Sequence, residues 1–109
     1  MRRIELIYDM DCHNVESARG VLRDALAAEG LEAEWAEWDR ESGDSPEYAR
    51  EYGSPTILVD GRDVSGQGSE ADAKCCRVYA AADGALRGVP EVETVRAALR
   101  LATSSGRDP

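Results

Sequence analysis

The chain has 109 residues, the length of one small domain, and sets 13 Lys and Arg against 22 Asp and Glu for a formal net charge of −9. Nucleic-acid phosphates and anionic lipid headgroups repel so acidic a surface, which excludes both as default partners. With 42% apolar and 32% charged residues the chain can build a core and is too apolar for a disordered tail, and no apolar run nears the roughly 18 residues of a membrane helix.

Ile4, Leu6 and Tyr8 alternate with Glu5 and polar neighbours, and Ile7 adds apolar weight, so a strand in a central position is expected. Met1-Arg2-Arg3 is basic, but the run after it is short and broken by Glu5. It reads as a strand rather than a signal peptide, which makes the cytoplasm the expected compartment. Beyond the polar stretch Asp9 to Asn14, the residues Val15, Ala18, Leu22, Ala25 and Leu26 recur at steps of three or four and predict an amphipathic helix. Asn14 or Asp11 can cap its start and Gly30 can end it. A second strand is read over Leu31 to Trp38, where small or aromatic residues alternate with Glu. Trp35 and Trp38 then fall on opposite faces, one in the core and one partly exposed at a partner or substrate surface. The acidic run Glu29, Glu32, Glu34, Glu37, Asp39, Glu41 and Asp44 reads as a solvated face.

Ser42-Gly43-Asp44-Ser45-Pro46 is a turn, and Pro46 suits the first position of a short helix through Tyr52, which Gly53-Ser54-Pro55 breaks. Thr56-Ile57-Leu58-Val59 is a third strand, Asp60-Gly61 a hairpin turn, and Asp63-Val64-Ser65 begins the return. From 67 to 90 the pattern is compatible with a hairpin, a helix or a loop. As a hairpin it pairs Cys76 to Ala80 with Ala85 to Gly88 across Ala82-Asp83-Gly84. Pro90 opens a last helix with Val92, Val95, Leu99 and Leu101 along one face, and the polar residues 103–109 read as a flexible tail on a single domain of residues 1–102. The βαβ start implies parallel pairing and the Asp-Gly turn antiparallel pairing. An α/β fold with a mixed sheet, mostly four-stranded and with helices on both faces, satisfies both.

That order, with Cys12 closing the first strand and Pro55 opening the third, resembles the thioredoxin-like fold and most closely its small glutaredoxin-type members. Glu47 to Gly61 is similar to that family's second helix, cis-proline and hairpin, and the resemblance spans residues 4 to 66 plus the last helix. It implies a three-layer α/β/α arrangement, a cis Ser54-Pro55 bond beside the reactive cysteine, and main-chain groups there that take an extended substrate. Two features depart from the family. Its Cys-x-x-Cys motif is here Cys12-His13-Asn14-Val15, and its glutathione-binding glycine pair is met only loosely by Gly66-Gln67-Gly68-Ser69-Glu70.

A thiol at a helix start faces unpaired N–H groups and the positive end of the helix dipole, which favour the thiolate that attacks disulfides or binds soft metals. His13, the one histidine, helps when protonated, as a proton shuttle or simply as a solvated residue, whereas Asp9 and Asp11 oppose ionisation. The bland alternative for Cys12 is a buried structural cysteine, and for Pro55 an ordinary trans proline opening a strand. Adjacent cysteines rarely bond to each other, because their side chains point apart, so Cys75 and Cys76 read as one inward and one outward residue. Either is a candidate resolving thiol for Cys12, a soft-metal ligand or core filler. Without a Cys-x-x-Cys or a second histidine, a tetrahedral zinc site has little support.

Three functions follow. In a thiol–disulfide oxidoreductase, Cys12 attacks a protein or small-molecule disulfide while Ser54, Pro55 and His13 position it. Cys75, or an external thiol such as glutathione, then resolves the intermediate. In a soft-metal protein handling mercury, organomercury or copper, Cys12 with Cys75 and Cys76 holds the ion, and Asp11 is the candidate acid. In a non-catalytic module the same scaffold binds a partner, or a second copy through a sheet edge or Trp38.

Overall fold

The computed structural model describes residues 3–10, 12–66, 79–80 and 83–106. Strand β1 (Ile4–Tyr8) pairs in parallel with β2 (Ala36–Asp39) and antiparallel with β3 (Thr56–Val59), which pairs with β4 (Arg62–Asp63). The result is a four-stranded mixed sheet in the order β2-β1-β3-β4. The register sets Ile4 opposite Val59 and Ile7 opposite Thr56, so β1 and β3 bury each other along their length. All four residues of β3 are buried, as are Ile4 to Ile7 of β1, which accounts for their near-continuous apolar sequence.

Helix α1 (Val15–Ala28) buries the five residues its spacing marks, Val15, Ala18, Leu22, Ala25 and Leu26. Gly30 ends it at φ 71°, with its N–H on the Ala27 carbonyl at 3.1 Å and the Leu31 N–H on the Leu26 carbonyl at 2.8 Å. This double closure is the Schellman arrangement, which needs a left-handed residue that glycine supplies without strain. Asn14 stands at the N-cap, but its side chain makes no capping bond. Asp11, the other expected cap, lies outside the described residues.

The second strand is shorter than its alternation suggests. It begins at Ala36, whereas Leu31 packs at the edge of the main core and the Glu34 N–H turns back to the Glu32 carbonyl at 2.9 Å. The residues before Ala36 carry the chain from the end of α1 to the register that sets Ala36 beside Glu5. Residues Glu47–Glu51 form a short 3-10 turn with Pro46 as its N-cap, one residue before the first helical position expected for it. Asp60 and Gly61 have φ of 52° and 82°, the mirror-type hairpin turn their dipeptide predicts.

Strands β5 (Tyr79–Ala80) and β6 (Leu86–Arg87) pair antiparallel as a separate ribbon, in keeping with the hairpin reading for those residues, while 67–78, with the start of the expected first strand at Cys76, lie outside the described residues. Helix α2 (Val92–Gly106) runs four residues into the segment expected to fray, since no breaker precedes Gly106. It buries Val95 and Leu99 but exposes 61% of Leu101, which lies two residues, about 200°, round the helix from Leu99.

The apolar side chains divide by the pleat. Ile4, Leu6, Ile57 and Val59 meet α1 and α2 in one cluster, which includes Cys12 and takes Trp35 at its edge. Ile7 and Leu58 meet Ala49 of the 3-10 turn, with Trp38, Tyr48 and Tyr52 around them. The two tryptophans therefore do lie on opposite faces, but both are half-buried, so neither is the core residue expected of one of them. The acidic face is not wholly solvated. Glu37 forms a two-pronged pair with Arg19 of α1 at 2.8 and 2.9 Å, and Glu29 joins Arg96 and Arg100 of α2 at 2.8 and 3.2 Å. Among the described residues, no helix is long and apolar enough to cross a membrane.

Candidate functional site

The residues of interest gather at the end of the sheet where β1 stops and β3 starts. After Tyr8 the chain leaves the sheet, and the Cys12 N–H closes a tight turn on the Asp9 carbonyl at 2.9 Å. Cys12 therefore sits two residues before the cap of α1, and Ala18 takes up the first helical bond with the Asn14 carbonyl at 3.0 Å. Cys12 is in no disulfide and is only 6% exposed, packed in the cluster that holds Val15 and Ala18. His13, the next residue, is exposed.

Ser54 is fully buried, and its Oγ accepts the Asp9 N–H at 2.9 Å. That bond ties the cysteine turn to the segment entering β3. The Ser54–Pro55 peptide bond is cis. The Thr56 hydroxyl donates to the Gly53 carbonyl at 2.6 Å, and the Tyr79 hydroxyl donates to the Pro55 carbonyl. Of the groups expected to take substrate, the Ser54 hydroxyl and the Pro55 carbonyl thus both have partners within the protein.

Asp9 bears the negative charge that the sequence places beside Cys12, and Arg40, directly after β2, faces it at 3.6 Å. Both side chains are largely buried, at 18% and 13% exposed, so the pair feels less solvent screening than a surface pair would. The Arg40 main-chain N–H also donates to the Tyr8 carbonyl at 2.8 Å, which ties the residue after β2 to the end of β1. A recess of about 340 Å³ lies between Arg40, Glu41 and Arg50. On the helix side, the Arg19 guanidinium stacks over the Tyr8 ring at 5.8 Å while gripping Glu37, whose carboxyl is held below its usual range chiefly by that hydrogen bond.

Gly88, just after β6, lies so close to the start of α1 that a Cβ there would meet the Asn14 amide nitrogen at 2.2 Å. The ribbon of β5 and β6 therefore closes over the site from two directions, Tyr79 onto Pro55 and Gly88 onto Asn14.

Among the expected site residues the structure joins Cys12 and Ser54 through Asp9. Cys75, Cys76 and Asp11 lie outside the described residues, so their distances from Cys12 do not enter. Among the described residues, no three His, Cys, Asp or Glu side chains converge as a metal site. The sequence reading missed Tyr79 and Arg40. Tyr79 was an unassigned aromatic in a blurred stretch, and Arg40 carried only the signal of a cation directly after a strand. No protein-family profile matches the chain, nor does any curated protein or solved structure.

Proposed function

We propose that this chain is a thioredoxin-like thiol protein that carries out thiol–disulfide exchange through Cys12. The observation that carries the reading is the pair of bonds from the Cys12 N–H to Asp9 and from the Asp9 N–H to Ser54, which seats a cysteine at a strand-to-helix turn beside the segment entering β3. Three features support it: the order β2-β1-β3-β4 with β3 antiparallel to β1, the cis Ser54–Pro55 bond, and the packing of Ala49 and its neighbours in the 3-10 turn on Ile7 and Leu58 of the sheet.

In the proposed step the Cys12 thiolate attacks one sulfur of a disulfide RS–SR′. The Cys12–SR bond forms as the S–S bond breaks, and R′S⁻ leaves with the electron pair. A second thiol then attacks the mixed disulfide, releases Cys12 as thiolate and leaves a new disulfide. Val15 stands where a local resolving cysteine would, so the second thiol is external or is Cys75 or Cys76.

The burial of Cys12 at 6% favours a second reading, a scaffold that binds a partner without turnover. One experiment separates the two. Reduction of a glutathione mixed disulfide, coupled to glutathione and its reductase, is followed for the native chain and for Cys12→Ser, with peptide mapping of the trapped adduct. The exchange reading expects turnover that Cys12→Ser abolishes and an adduct on Cys12. Equal rates in both chains, or an adduct confined to Cys75 and Cys76, would refute it.

A further inference from the structure

At the other end of β1, on the sheet face lined by Ile7 and Leu58, Glu5 is 2% exposed in the middle of the sheet. A buried carboxylate is costly unless it is hydrogen-bonded or paired. The Trp38 indole N–H donates to its Oε2 at 2.8 Å, the Tyr48 hydroxyl donates to the same oxygen, and the Arg3 guanidinium reaches it at 3.4 Å. All three donors converge on Oε2, and none among the described residues is given to Oε1. Arg3 is a loose partner, its side chain 64% exposed.

Glu5 also lines an open cavity of about 540 Å³ with Tyr48, Tyr52, Leu58, Asp60 and Arg3. The Asp60 carboxylate at the rim accepts the Arg3 main-chain N–H at 2.7 Å. The cavity therefore combines two carboxylates with two tyrosines, above an apolar floor at Leu58. Anionic oxygens beside aromatic rings suit an organic cation, whose charge meets the carboxylates while its weakly hydrated body meets the rings. The Arg3 guanidinium already samples that chemistry from within the chain, and the net charge of −9 draws cations to the surface.

We propose that this cavity binds an organic cation of the guanidinium or alkylammonium class, with its head on Glu5 and Asp60 between Tyr48 and Tyr52 in the place Arg3 approaches. The site is separate from the cysteine turn, since Glu5 and Tyr8 are three residues, about 10 Å, apart along β1.

The test uses the full chain and the Trp38 indole N–H resonance, which reports directly on Glu5. It is titrated with n-butylguanidinium and n-butylammonium chloride, with n-butanol and potassium chloride as controls. A saturable shift is expected with the cations and not with the controls, and the better of the two cations identifies the head group. Glu5→Gln weakens binding at least about ten-fold through loss of a charged hydrogen-bond acceptor. Arg3→Ala, which keeps the main-chain bond to Asp60 and the Trp38 and Tyr48 donors to Glu5, tightens it several-fold by removing the internal competitor, and Cys12→Ser leaves it unchanged. Shifts that do not saturate, that n-butanol reproduces, or that Arg3→Ala fails to strengthen would overturn the proposal, whether or not Glu5→Gln folds.

Discussion

The main-chain N–H of Asp9 lies 2.9 Å from the hydroxyl oxygen of Ser54, 45 residues away, and through this bond the turn carrying Cys12 is fastened to the start of β3. Ser54→Ala removes the acceptor at a fully buried position and leaves an amide poorly satisfied. The expected cost is about 1–3 kcal/mol in urea unfolding. Because the same bond positions the cysteine turn, the rate of Cys12 alkylation should rise as well. If stability falls but the alkylation rate stays put, the link does not govern access to the thiol.

Access itself gives the next expectation. With 6% of Cys12 exposed, modification requires a local opening of the turn. Iodoacetamide should therefore label Cys12 much more slowly than an unfolded cysteine peptide, and bulky aromatic disulfide reagents more slowly still. Labelling at the peptide rate, read by peptide mapping, would mean that the thiol is open in solution.

Gly20 and Gly88 should respond to alanine in opposite directions. A Cβ at Gly20, within α1, meets nothing within 4 Å, so Gly20→Ala gains about 0.5–1 kcal/mol from helix propensity. A Cβ at Gly88 would meet three atoms at the end of the Asn14 side chain at 2.2 to 2.9 Å, and since that side chain makes no capping bond it can turn aside, so Gly88→Ala costs about 0.5–1 kcal/mol. Chemical denaturation of both variants checks the pair, and a stabilising Gly88→Ala or a destabilising Gly20→Ala would contradict it.

Glu37 sets an acid limb. Its carboxyl is held below the usual range, mainly by the hydrogen bond from Arg19, with burial opposing and the Trp35 indole at 2.9 Å assisting. A depressed folded pKa means that the pair stabilises the protein above the ordinary glutamate pKa, and that this contribution is lost as pH falls through the lower folded value. Glu37→Gln should lose about 1 kcal/mol near neutral pH, with the difference from the native chain closing at acid pH and shrinking in high salt. Thermal melts between pH 2.5 and 7 test this, and a gap that stays constant with pH would rule out the ion pair as its source.

Tyr48 sets the opposite limb. Its hydroxyl titrates above the ordinary tyrosine value, first because of burial and then because of its hydrogen bond to Glu5. The protonated form is favoured in the folded protein, so its contribution is complete below about pH 10 and disappears as pH rises through the elevated folded value. Ultraviolet titration of the four tyrosines should show a late component that Tyr48→Phe removes. A single ordinary transition in the native chain would contradict the arrangement.

Short-range signals carried much of this architecture. The step of three and four in Val15, Ala18, Leu22, Ala25 and Leu26, the stop at Gly30 and the turn at Asp60-Gly61 each depend on a handful of neighbouring residues whose backbone preferences act locally, and all three reappear in the structure. The strand-to-helix position of Cys12 was readable for the same reason. The start of β2 was not, because alternation continues through Leu31 to Glu34 and the register against Glu5 alone decides where pairing begins. Leu101 was misplaced by counting apolar residues without counting angle.

Glu5 marks the boundary most clearly. Its place between apolar residues declares a strand, and a glutamate in an alternating strand reads as facing water. Both faces of β1 are covered, however, and the donors that make a buried carboxylate tolerable come from Trp38 and Tyr48, 33 and 43 residues along the chain. Tyr79 likewise reaches Pro55 across 24 residues. Periodicity, caps and turns are properties of neighbours and can be read along the chain. The meeting of a charge with its donors, or of a hydroxyl with a carbonyl, depends on which distant segments the packed sheet brings within about 3 Å, and no local pattern encodes that distance.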